Sequence, residues 1–148
     1  MRKIMMIVSI LLLTGYGLAM AQNGATSKEL VGKAWAALAN NDVKGVETYA
    51  NENVEMYGDK ARQMQASLKE YPYESRSRIF SFWALNDVGT GLFILGEAYQ
   101  NAGRKEEARK AYNELINDYT YAQCWDTKGF FWKPAKAAKK KLREMDNG

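Results

Sequence analysis

A chain of 148 residues with no histidine and a single cysteine, Cys124, is closed to several chemistries from the outset. The commonest general base and metal ligand are missing, so serine–histidine and cysteine–histidine nucleophile pairs and histidine-bearing zinc sites are excluded, and one thiolate builds no metal cage. A formal charge of +4, on 21 basic and 17 acidic residues, is small for a nucleic-acid binder.

The first segment reads as an address. Arg2 and Lys3 precede an apolar run at residues 4–13, and Ala19-Met20-Ala21 supplies the small-x-small pattern of signal-peptidase cleavage. The run is too short to span a bilayer, which takes about 20 apolar residues, and no second long run follows. Residues 1–21 are therefore expected to be a cleavable signal peptide, and the protein periplasmic or secreted, with no integral membrane segment after cleavage. Both basic residues of the leader leave with it, which lowers the positive charge of the remainder, residues 22–148. That remainder is the length of one domain and long enough to bury about two thirds of its surface without a metal or disulfide staple.

Alanine and leucine are common, proline occurs only at Pro72 and Pro134, and alternation of β-branched residues is nearly absent, so the predicted class is all-α. Ser27 is placed to cap a first helix reaching about Asn40, with Leu30, Val31, Ala34, Ala37 and Leu38 at helical spacing. Asn40-Asn41-Asp42 marks a turn, and a second helix is predicted over residues 43–56, burying Val43, Val46, Tyr49, Ala50 and Val54. The two make a helical hairpin. A third helix is predicted over residues 59–69 on Ala61, Met64 and Leu68, ended by Tyr71-Pro72-Tyr73 because the residue before proline is biased out of the helical region. Residues 74–88 gather Ile79, Phe80, Phe82 and Trp83 without helical order, which predicts an aromatic connector packed on its neighbours.

Residues 89–122 carry the clearest pattern. Leu92, Leu95, Gly96 and Tyr99 form one apolar stripe with a glycine in its middle, and an interior helical glycine, costing about 1 kcal/mol against alanine, usually marks close packing. Asn101-Ala102-Gly103 makes the turn. The next helix starts near Arg104, sets Glu106 and Glu107 in its electropositive first turn, and buries Ala108, Tyr112, Leu115 and Tyr119. Gly89-Thr90-Gly91 lacks the later glycine or lysine of a phosphate loop.

The positions Leu92, Leu95-Gly96, Tyr99, Ala108 and Tyr112 resemble, in order, those of a tetratricopeptide repeat. Leu92 stands where that family usually has tryptophan, and Thr120 where it often has proline. Residues 27–60 repeat the pattern weakly, through Leu30, Ala34, Ala37, Val46 and Ala50, with Lys33 in place of a leucine. Residues 61–88 supply half a repeat. The resemblance implies a short solenoid of helical hairpins that grips an unidentified protein or peptide in a concave groove, without a cofactor or metal. Such grooves are lined by the first helix of each hairpin, which makes Lys33, Asn40, Gln63, Gln100 and Asn101 the candidate groove residues.

The tail, residues 123–148, reads as a cap. Pro134 suits a helix's first turn, and Ala135, Ala138, Leu142 and Met145 share one face. Lys136, Lys139, Lys140 and Lys141 form either a solvated face or a contact to an anionic envelope surface. Trp125, Phe130, Phe131 and Trp132 either seal the repeat or offer interaction surface. Cys124 is expected to be buried beside Trp125. The alternative function is recognition or hydrolysis of cell-wall polysaccharide, as by a glucanase, using these aromatics and a carboxylate pair, Glu52/Glu55 or Glu106/Glu107. Both pairs read equally as solvated surface, so no catalytic residue is assigned.

Overall fold

The computed structural model describes residues 24–148. The expected signal peptide lies outside the described residues. Helix makes up 71% of the structure, in six segments, with one two-stranded sheet, so the predicted all-α class holds with a small addition.

The first helix, α1 (Ser27–Ala39), has its N-cap one residue earlier than predicted, at Thr26. The Thr26 hydroxyl accepts from the Glu29 amide, and the Glu29 carboxylate accepts from the Thr26 amide at 2.7 Å, a reciprocal capping box. Ser27 is thereby released to bond across to another helix. Leu30, Ala34 and Ala37 are buried at the predicted spacing. The Asn40-Asn41-Asp42 turn places Asn41 at φ 54°, and Asp42 caps the next helix through the Gly45 amide.

The second and third predicted helices are one: α2 runs unbroken over Val43–Ala66. The break expected at Tyr57-Gly58-Asp59 is overridden by packing. Gly58 is buried where a Cβ would stand 3.2 Å from the Tyr119 hydroxyl, and Arg62 on the next turn donates to that same oxygen at 2.8 Å. A glycine that lets two segments approach this closely keeps its place in a helix despite its propensity cost. Residues 61–66 thus finish α2, and the half repeat expected at residues 61–88 does not supply a separate first helix.

The expected connector also contains helix. A single turn, α3 (Arg76–Phe80), is capped by Ser75, and α4 (Trp83–Asn101) follows after two residues. Helix α4 therefore starts six residues ahead of Gly89, the expected start of the repeat. It is buried on every side from Ala84 to Gly96 apart from Asp87, because α1, α2, α6 and the partner helix α5 (Lys105–Asp118) all pack around it. Helix α4 is the hydrophobic centre of the molecule.

Between α5 and the last helix the chain makes a hairpin that the sequence pattern does not announce. Strands β1 (Cys124–Asp126) and β2 (Phe130–Trp132) pair antiparallel, with Cys124 opposite Trp132 and Trp125 opposite Phe131. Gly129, at φ +99°, closes the turn in a conformation that side chains rarely adopt. Helix α6 (Pro134–Asn147) starts at Pro134 as predicted, burying Ala135, Ala138 and Met145 against α4 and α5. Among the described residues no helix is long and apolar enough to cross a membrane.

Candidate functional site

Of the six residues that carry the expected repeat pattern, five are core. Leu92, Leu95, Gly96, Ala108 and Tyr112 are buried, and the Tyr112 hydroxyl donates to Gln100 Oε1 at 3.0 Å. Tyr99 is half-buried beneath the Arg104 guanidinium, 4.5 Å from its ring, and burial together with Glu47 pushes its phenol up to about 12. That guanidinium also pairs with Glu47 on α2 and Glu107 on α5, bracing the two hairpins.

The five candidate groove residues are not brought together. Lys33 lies over the Tyr49 ring between α1 and α2, and the Asn40 amide donates to the Ala36 carbonyl at the end of α1. Gln63 is an exposed residue of α2, the second helix of its hairpin, because residues 59–66 continue α2 instead of starting a new unit. Gln100 accepts from Tyr112, and only Asn101 lines a depression, one of about 160 Å³ beside the α1–α2 turn.

The tail aromatics are partly packed and partly exposed. Trp125 and Phe131 meet edge-on at 4.8 Å and both meet Phe80 edge-on, while Trp132 packs edge-on against Phe93 of α4 at 5.1 Å. Phe130 stays exposed. Of the tail lysines, Lys141 pairs with Glu97 on α4 at 2.9 Å, Lys140 approaches Glu144, and Lys136 sits by the Tyr71 ring, leaving Lys139 facing solvent. The basic face is thus partly spent on the fold.

The hairpin forms one wall of two adjoining clefts. The larger, about 760 Å³, is lined by the start of α1, Tyr57 of α2, Phe80 of α3, the first two turns of α4 and β1. The smaller, about 450 Å³, lies between Trp35 of α1, Phe93 of α4, Ala137 of α6 and the hairpin. Cys124 and Trp125 belong to both. Four of the six exposed large hydrophobics among the described residues gather here: Phe80 and Trp83 line the larger cleft, Trp35 and Phe130 the smaller, each between 36% and 51% exposed, while Met56 and Tyr73 lie elsewhere. Concentrated exposed apolar surface of this kind marks sites of interaction.

Fixed polar groups form the floor of the larger cleft. The Asn86 amide donates to the Ile79 carbonyl at 2.9 Å and its oxygen accepts from the Gln123 amide at 2.9 Å, which pins α3 and β1 to α4. Thr90 donates to the Asn86 carbonyl. Asp87 accepts from the Ser27 hydroxyl at 2.6 Å, tying α1 to α4, and its backbone carbonyl accepts from Asn53. Burial pushes the Asp87 carboxyl above the ordinary range, opposed by the Ser27 bond and by Lys28. Burial likewise pushes the half-buried Cys124 thiol up, so the thiol stays protonated at neutral pH and is no activated nucleophile.

The sign of the Asp87 effect is testable. A carboxyl whose folded pKa is raised binds more protons in the folded than in the unfolded state, so its stability contribution falls as pH rises through the folded value. Asp87→Asn keeps an acceptor for Ser27 and removes the charge. The variant is expected to unfold at higher denaturant than the parent at pH 7, with the gap closing as pH falls towards 4. A parent more stable than the variant at pH 7 would show the carboxylate to be a net stabiliser.

Neither carboxylate pair lies in these clefts: Glu52 and Glu55 are on α2, Glu106 and Glu107 on α5, with Glu107 engaged by Arg104. Asp87 and Tyr57 join the site without having been sequence candidates. One signal for Asp87 was present, since it is the only charged residue between Arg78 and Glu97. No family model matches the chain, and comparisons with curated proteins and with solved structures return no match.

Proposed function

We propose that this protein is an exported, tetratricopeptide-like binding module that holds a short protein segment in the aromatic clefts beside its β-hairpin. The observation that carries the reading is the gathering of Trp35, Phe80, Trp83 and Phe130 around two adjoining clefts that share Trp125. A small domain buries large aromatics when it can, and the half-exposed rings of Phe80 and Trp83, held in place by edge-on neighbours, are preformed anchors for a partner. Rings already fixed by the fold lose little freedom on binding.

The helix packing supports the repeat component. Helices α1 and α2 pair, α4 and α5 pair, α4 lies on both helices of the first hairpin and most extensively on α2, and α6 lies on both α4 and α5. Stacked hairpins followed by a single closing helix are expected to make these contacts. The hairpin at 124–132 departs from a plain repeat array and moves the binding surface away from the polar groove residues. Export rests on the leader pattern at residues 1–21, and protein recovered from the cell envelope is expected to begin at Gln22.

The test is a peptide array probed with the purified protein, followed by calorimetry on the hits. Short segments carrying apolar side chains are expected to bind, and Trp83→Ala to weaken them about tenfold, the loss typical of one aromatic anchor. Binding of cell-wall glycan fragments with no peptide bound would overturn the reading in favour of polysaccharide recognition.

A further inference from the structure

We propose that the larger cleft is a site for an organic cation, the ammonium or guanidinium end of a ligand with an apolar stem, and that Asp87 is its counter-ion. The proposal rests on the peptide-binding reading and deepens it: the fitting occupant is a lysine or arginine side chain of the bound segment.

Charge complementarity carries it. Among the described residues Asp87 is the only acidic one lining the cleft, and one of its oxygens accepts from Ser27. Among the described residues no lysine or arginine nitrogen lies within ion-pairing distance of the carboxylate, although other partly buried acids have found one, as Glu47 and Glu97 have. Lys28, on the first turn of α1, also lines the cleft, but it is exposed, forms no ion pair with Asp87 and acts on it only at longer range. A partly buried carboxylate with a hydroxyl but no cation beside it is costly to keep ionised, and a cation is the ligand that lowers that cost on binding.

The walls fit the same chemistry. Tyr57 and Trp83 meet edge-on at 5.7 Å, and Phe80 and Trp125 pair at 6.3 Å on the side of β1. Aromatic faces attract cations through the ring quadrupole and favour weakly hydrated ones carried on apolar stems. The protein already uses this contact within the fold, with Arg76 seated 4.3 Å from the Trp125 ring at the cleft's edge. An anionic ligand would face Asp87 directly. A neutral apolar ligand would fill the walls and leave the carboxylate unpaired.

The test uses three probes of equal stem on the unmodified protein at pH 7: hexylammonium chloride, hexanol and sodium hexanoate, followed by tryptophan emission and calorimetry. Hexylammonium is expected to bind about tenfold more tightly than hexanol, with hexanoate weakest, as a desolvated carboxylate and ring faces together provide. Asp87→Asn should abolish the preference for the cation while leaving hexanol binding in place. Equal affinity for hexylammonium and hexanol, or a preference that survives Asp87→Asn, would overturn the proposal and leave Asp87 as a strut between α1 and α4. The probe comparison needs no variant, so it decides even where Asp87→Asn fails to fold. Lysine-containing and norleucine-containing acetylated tripeptide amides separate the two readings. Hexylammonium binding without either tripeptide overturns the peptide reading alone, whereas equal binding of both tripeptides overturns the cation site alone.

Discussion

Gly96→Ala should destabilise the protein by about 2 kcal/mol, although it places the better helix former in the middle of a helix. The sign is set by space. A Cβ built on Gly96 would stand 2.2 Å from Tyr112 Cε1 and 2.5 Å from Cδ1, distances that real Cβ atoms do not adopt. The ring has nowhere to go, since Tyr112 is fully buried, stacked near Phe93 and held by Gln100. Helices α4 and α5 must therefore separate locally, which loses packing around Leu95, Ala108 and Ala111. Overpacking of this kind costs roughly 1–3 kcal/mol or more, while the propensity gain returns at most about 1. For a domain of this size the expected fall in Tm is several degrees, on the order of 4 °C per kcal/mol.

The control is another glycine. Gly32 lies on the exposed face of α1, and a Cβ there meets nothing within 4 Å. Gly32→Ala should stabilise by up to about 1 kcal/mol, through propensity alone. Denaturant unfolding of both variants gives opposite signs if packing, and not helix propensity, explains Gly96. Adding Tyr112→Leu to Gly96→Ala should recover part of the loss relative to additivity, because the obstructing ring is then gone. Two destabilised glycine variants, or additive behaviour in the double change, would show that Gly96 is kept for another reason.

Gly96 is also where the sequence is most legible. A glycine inside an apolar stripe, followed one turn signal later by a second stripe, is enough to pair α4 with α5 and to name their shared core. The same period fails at the start of α4 for a physical reason. A helix buried on every side has no polar face, so residues 83–88 show no stripe, and the aromatics around them read as an irregular connector. The false break in α2 falls at Gly58, to which Tyr119 and Arg62 give a packing role only the fold reveals. The hairpin is hidden because strands of three residues are too short to alternate. As for the cleft, its lining is drawn from α1, α2, α3, α4 and β1, so no local pattern contains it. Asp87 alone leaves a trace, as a solitary charge in an apolar run.

Ending the chain after Lys133 should abolish cooperative unfolding, a larger effect than any single substitution is expected to produce. Helix α6 carries no part of the cleft floor, so the loss would be one of stability. It buries Pro134, Ala135, Ala138 and Met145, half-buries Leu142, and covers the sides of α4 and α5 that hold Phe93, Ala111 and Tyr112. Two ion pairs tie it down, Lys141 to Glu97 on α4 and Arg109 on α5 to Asp146. Those pairs are minor: partly exposed pairs contribute roughly 0–1 kcal/mol, so Lys141→Met should leave the fold intact. The apolar face is another matter. Losing one large buried apolar side chain costs about 2–5 kcal/mol in a core, and here Met145 goes together with the half-buried Leu142 and the smaller Pro134, Ala135 and Ala138, against a total stability on the order of 5–15 kcal/mol. The truncated chain would also expose the flank of its central helix, α4, to water, where the remaining α5 cannot reach. Far-UV circular dichroism with thermal unfolding decides the matter. A sharp transition at the parent temperature after truncation would show that α6 is an appendage and that the hairpins α1–α2 and α4–α5 hold α4 by themselves.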